Sequence, residues 1–206
     1  QSLMARNLVD KAIWCWQQAV RIDPQHPNIN ANLARAMLRK GERERARLLF
    51  LRQLRHEPGD VTTLVELGKL LGDLGRPTEA SAKFRQALEL DPTVAEAHLY
   101  LGEPAWKAGH NDAASVQFQA ARRINPLLPG VSLRLASVAQ SRGHYARARK
   151  LLHDELQVQG RSVEQALELA RLLIELDMPR MAALQLTPLI NHTYKHGPVP
   201  PGALST

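Results

Sequence analysis

Apolar residues recur along this chain at spacings of three and four, in runs about as long as a helix, with polar residues filling the rest of each turn. Overlaid at a period of 34 residues, the runs fall into columns. One set carries Leu33, Leu67, Leu101, Leu135 and Leu169, each followed by a small residue: Ala34, Gly68, Gly102, Ala136 and Ala170. A second set carries Ala12, Ala46, Ala80, Ala114, Ala148 and Ala182. One turn later on the same face stand Trp16, Phe50, Phe84, Phe118, Leu152 and Leu186. Small and large side chains thus alternate on the stripe that each helix would bury, which predicts two amphipathic, closely packed helices per period. The punctuation agrees. Pro24, Pro58, Pro92 and Pro126 follow the second helices, where a missing N–H and a fixed φ stop one helix and suit the first turn of the next. Gly41, Gly75, Gly109 and Gly143 fall 17 residues after each proline, at the turn inside the pair, where a left-handed backbone favours a residue without Cβ.

A helix-turn-helix unit carrying Leu67, Gly68, Ala80, Phe84, Ala87 and Pro92 resembles the tetratricopeptide repeat, and Leu101, Gly102, Ala114, Phe118, Ala121 and Pro126 repeat the pattern. The resemblance covers nearly the whole chain and implies an all-α fold, a right-handed α-solenoid of stacked antiparallel helix pairs. It divides residues 1–196 into a partial repeat over 1–26 and repeats over 27–60, 61–94, 95–128, 129–162 and 163–196. Asn30, Leu64, His98, Ser132 and Ala166 replace the aromatic residue expected early in the first helix. In the last repeats Gly160 and Tyr194 stand where proline is expected and Asp177 where glycine is, as in degenerate terminal repeats. Most of the leading helix is missing from the first repeat, so the chain is expected to be a portion of a longer one. Residues 197–206, with Pro198, Pro200 and Pro201 between Gly197 and Gly202, read as a linker or disordered end.

Stacked helix pairs generate an extended concave surface, and the resemblance implies that the first helix of each repeat lines it. The candidate partner-binding residues are therefore Asn28, Asn32, Arg35, Arg39, Thr62, Val65, Lys69, Leu99, Tyr100, Trp106, Lys107, Leu133 and Arg134, with Glu96 and Glu103 beside them. Apolar anchors mixed with cations suit a partner protein or peptide bearing apolar and acidic residues. Some relatives grip a C-terminal carboxylate with Lys, Asn and Arg, but the matching positions here hold Ala31, Arg35, Glu66, Glu96 and Tyr100, so that clamp is not expected. Pro104 falls inside a first helix, where it removes a donor and predicts a kink or a broken turn.

Composition narrows this picture rather than changing it. The formal charge of +7 admits an acidic partner, nucleic acid or an anionic membrane surface. The cations Arg43, Arg45, Arg47, Arg52 and Arg55, and again Arg142, Arg147, Arg149 and Lys150, are interleaved with core residues and acids such as Glu42 and Glu44. No stacking aromatics accompany them, so nucleic-acid binding is a secondary reading. No apolar run is long enough to span a membrane. The single cysteine, Cys15, excludes an internal disulfide and reads as a buried thiol between Trp14 and Trp16. An apolar patch at that end predicts self-association there. No nucleophile stands beside a His and a carboxylate, no phosphate loop or CxxC occurs, and His192 and His196 lack a third ligand. The sequence therefore predicts no catalysis, no cofactor and no metal: a protein-interaction scaffold, with an accessory module of a larger enzyme as the alternative. The cytoplasm and the periplasm both remain open.

Overall fold

The computed structural model describes residues 3–23 and 28–196, which are helical with short turns and contain no strand among the described residues. The chain forms two compact units, one over Gln1–Pro104 and one over Ala105–Thr206. The first comprises α1 (Leu3–Ile22), α2 (Ile29–Lys40), α3 (Arg43–His56), α4 (Val61–Asp73), α5 (Pro77–Leu90) and most of α6 (Ala95–Lys107). In it α2 packs on α1 and α3, α3 on α4, and α4 on α5. Its core is built from the predicted columns: Ala46, Phe50, Leu67, Ala80, Phe84 and Ala87 are all buried. Close approach is needed at Gly68, where a Cβ would stand 2.6 Å from the Phe84 ring, so only glycine admits that aromatic face.

The second unit takes the last turn of α6 and adds α7 (Asn111–Ile124), α8 (Val131–Ser141), α9 (Tyr145–Leu156), α10 (Val163–Glu175) and α11 (Pro179–His196). Phe118, Leu133, Leu152, Leu169 and Leu173 fill its interior. α7 packs on α8, α8 on α9, and α10 on α11, with α10 also against α8 and α9.

The turns follow the punctuation. Gly41, Gly75, Gly109 and Gly143 have φ of 85, 72, 78 and 74°, the left-handed geometry of a helix end. Asp177 takes φ 60° in their place, at a steric cost glycine does not carry. Asp177→Gly is therefore expected to stabilise the second unit by about 0.5–1 kcal/mol, read as a higher urea midpoint at unchanged slope; an unchanged or lower midpoint would refute the assignment of strain. After the second helices the side chain before proline closes the turn. Asp91 accepts from the Thr93 N–H at 2.8 Å, and Asn125 from the Leu127 N–H at 3.0 Å. Hydrogen bonds from Thr93 hold the Asp91 carboxyl below the ordinary range for aspartate.

Two sequence expectations change. Cys15 is exposed and Trp14 is 62% exposed, because a helix turns about 100° per residue and, among the described side chains of α1, it is Ile13, Trp16 and Val20 that pack in the core. Pro104 lies within α6, which remains helical to Lys107, so of the expected kink or broken turn the broken turn does not form. The expected tail at 197–206 and the segment 24–27 lie outside the described residues, as do the side chains of His192 and His196.

Candidate functional site

The first helices of each unit lie side by side, and polar side chains bridge them. In the first unit the Arg35 guanidinium of α2 donates through Nε to both carboxylate oxygens of Glu66 on α4, at 2.8 and 3.0 Å, and through Nη1 to Asn32 Oδ1 at 2.8 Å. Lys69 of α4 donates to Glu96 of α6 at 3.3 Å and sits 5.3 Å above the Tyr100 ring. Burial pushes the Tyr100 hydroxyl above its ordinary pKa, against the opposing pull of Lys69. These cations are already engaged within the protein, so their positive charge is directed along the helix layer rather than held unpaired for a ligand.

The second unit carries an open cleft of about 690 Å³ lined by Trp106, Arg134, Ser137, Gln140, Ser141, Glu168, Arg171, Leu172 and Glu175. All nine lie on the first helices α6, α8 and α10. The Arg134 guanidinium is stacked 4.3 Å over the Trp106 ring, and its Nη1 donates to both oxygens of Glu168 at 2.6 Å. Stacking and the ion pair together fix a planar cation against an aromatic face. On the same wall Glu175 accepts from Gln140 at 2.8 Å and from Arg171 at 2.8 Å, both at the solvent-exposed surface. Those two donors, Arg171 first, hold its carboxyl below the ordinary range. The side chain of Arg171 is 75% exposed, so the cleft presents a cation that a partner can reach.

Of the residues singled out from sequence, Trp106 and Arg134 line this cleft. Asn28, Arg39, Thr62 and Lys107 are exposed, while Asn32, Arg35, Lys69 and Tyr100 are half-buried in the bridged layer. Val65, Leu99 and Leu133 are buried at 5%, 6% and 0% exposure. They count among the buried core residues and leave little surface for a partner. Ser137, Gln140, Glu168, Arg171 and Glu175 were not singled out, though their spacing of three or four within α8 and α10 places them on the stripe that continues from Arg134. Among the described residues no group of His, Cys, Asp or Glu side chains is placed to hold a metal, and no helix is long and apolar enough to cross a membrane.

Stacked helix pairs with a polar-lined first-helix layer define an all-α helical-repeat protein. Family models described as tetratricopeptide repeat match residues 3–67 and 65–129, together more than half of the chain, and the chain belongs to that family. Among solved structures it is similar to PilF of Pseudomonas aeruginosa, with 23% identity, a TM-score of 0.73, and coverage of 94% of this chain and 89% of that one. It is similar to PilW, a type IV pilus biogenesis factor, with 21% identity, a TM-score of 0.71, and coverage of 94% and 90%. It is also similar to YrrB, a repeat protein with an unusual peptide-binding site, with 20% identity, a TM-score of 0.58, and coverage of 76% and 81%. At these identities the likeness is one of fold. No curated protein matches the sequence.

Proposed function

We propose that the chain is a non-catalytic protein-binding scaffold that takes up a segment of a partner protein along its first-helix layer, gripping it in the cleft of the second unit. The observation that carries this reading is the cleft itself, whose lining comes from three successive first helices and whose centre is the Trp106–Arg134–Glu168 cluster. An apolar side chain of the partner packs at Trp106, and an acidic one reaches the exposed Arg171. Membership of a family of helical repeats supports a binding role, as does the likeness in fold to a repeat protein with a peptide-binding site.

The test selects a displayed library of random peptides on the full chain and repeats the selection on Trp106→Ala and on Arg171→Glu, each checked by circular dichroism. Peptides enriched by the parent in an apolar residue near an acidic one, and bound at least about tenfold more weakly by both variants, are the expected result. Enrichment of the same peptides by parent and variants would remove the cleft as the working surface.

A further inference from the structure

The solvent side of the first unit carries a second surface, distinct from the first-helix layer. On α3 the residues Arg45, Leu48, Arg52 and Arg55 follow at spacings of three, four and three, so they share one face, and all are exposed. On α1, 34 residues earlier, Lys11, Trp14, Gln18 and Arg21 repeat the spacing. Both helices pack on α2 and stand one repeat apart, so their equivalent columns face the same side. The two rungs thus place Trp14, 62% exposed, and Leu48, 58% exposed, among cations.

Repeat architecture alone does not impose this. The same columns of α5 carry Glu79, Ala82, Gln86 and Glu89, with no cation and no large apolar side chain, so the pattern stops after two helices. Charge on the patch is also unbalanced. The acids of the described side chains in α1 and α3 are taken by other cations, Asp10 by Lys40 and Glu44 by Arg47. Arg45 is paired with Glu42, whereas Lys11, Arg21, Arg52 and Arg55 have no ion-pair partner among the described residues.

We propose that this outer face of α1 and α3 docks an acidic amphipathic helix of a partner protein, its apolar stripe on Trp14 and Leu48 and its carboxylates on the surrounding arginines. Trp and Arg are the residues that concentrate binding energy in protein interfaces, and the arginine fork matches a carboxylate in two hydrogen bonds. Two separated apolar side chains give too little area to hold a bilayer surface. One aromatic ring is not a stacking platform for bases.

The probe is a fluorescent synthetic helix with a leucine stripe flanked by glutamates, titrated into the full chain, with a lysine-for-glutamate version as control. The expected result is saturable binding of the glutamate helix alone, slowed alkylation of Cys15, which is exposed beside Trp14, and loss of affinity of about tenfold or more in Arg52→Glu/Arg55→Glu. Leu48→Ser, at an exposed position, is expected to weaken binding with the fold intact, while the cleft variant Trp106→Ala leaves it unchanged. The proposal is overturned if the folded parent ignores the glutamate helix or if the variants bind it equally. It also falls if phosphatidylglycerol vesicles or a random oligonucleotide bind in its place with the same sensitivity to Arg52 and Arg55. A dimer in sedimentation that Leu48→Ser dissociates would assign the face to a second copy of the chain instead.

Discussion

Phe84→Ala is expected to destabilise the first unit by about 3–5 kcal/mol, the range for truncating a buried phenylalanine. The ring is 3% exposed and lies in α5 between two neighbours that cannot follow it inward. On one side is Gly68 of α4, which has no side chain to fill the space left behind. On the other is Tyr100 of α6, stacked at 5.2 Å between centroids and inclined by 10°. Losing Phe84 therefore opens a cavity and releases Tyr100 and the Lys69 cation above it. Because repeat units lean only on their neighbours, a single gap weakens the adjoining helix pairs as well. Urea titration of the full chain, followed by circular dichroism, checks this. A loss below about 1.5 kcal/mol would mean that α4 and α5 close over the gap, against the packing described here.

Glu155→Ala is expected to cost the second unit about 2–4 kcal/mol, through a cavity and an orphaned donor. Glu155 of α9 is fully buried, and its Oε1 accepts from the Gly130 N–H at 2.9 Å, where α8 begins. It caps that helix from a different element, next to a turn in which Gly130 has φ 88°. Its Oε2 has no hydrogen-bond partner. Burial raises the carboxyl above its ordinary pKa, although the Gly130, Leu133 and Ser132 N–H groups and the Arg161 charge pull it down. With the folded value above the unfolded one, the native state holds the proton more tightly. Its stabilising contribution is full below about 4.5 and is lost as pH rises through the folded value. Glu155→Gln removes that titration, so the stability of the variant relative to the parent should increase with pH from about 4.5 upward. The opposite slope, measured by urea unfolding at several pH values, would show that the amide hydrogens and Arg161 outweigh burial.

Glu155 also marks where the reading of the sequence ran out. It occupies the column that holds Ala87 and Ala121 in other repeats, as does Gln53, and both are buried polar residues with an unpartnered atom. The opposing column holds Leu64 where Ala87 stands, but Ser132 and Asn30 in the repeats with Glu155 and Gln53. Their atoms Ser132 Oγ and Asn30 Oδ1 are unpartnered too. Departures at both columns were visible as letters, but whether a carboxylate there meets a helix N-terminus or water depends on the neighbouring turn.

By itself the sequence determined the helices, their pairing and their turns. Period and spacing act within a few residues: a left-handed glycine, a proline that stops a helix, and a stripe repeating every turn are local constraints. Even the substitution at Asp177 preserved the backbone that the glycine column predicted. Only tertiary structure decided which residues on the first helices reach solvent. Val65, Leu99 and Leu133 turn into the core, whereas Trp106 and Arg134 meet Glu168 and Arg171 from the next helix to form the cleft. On α1 it left Trp14 and Cys15 outside, because one packed neighbour can cover only one side of a helix. Periodicity fixes the side of a helix on which a residue lies; what stands opposite is set by side chains 30 or more residues away, as with Arg134 and Glu168, and no local pattern encodes that meeting.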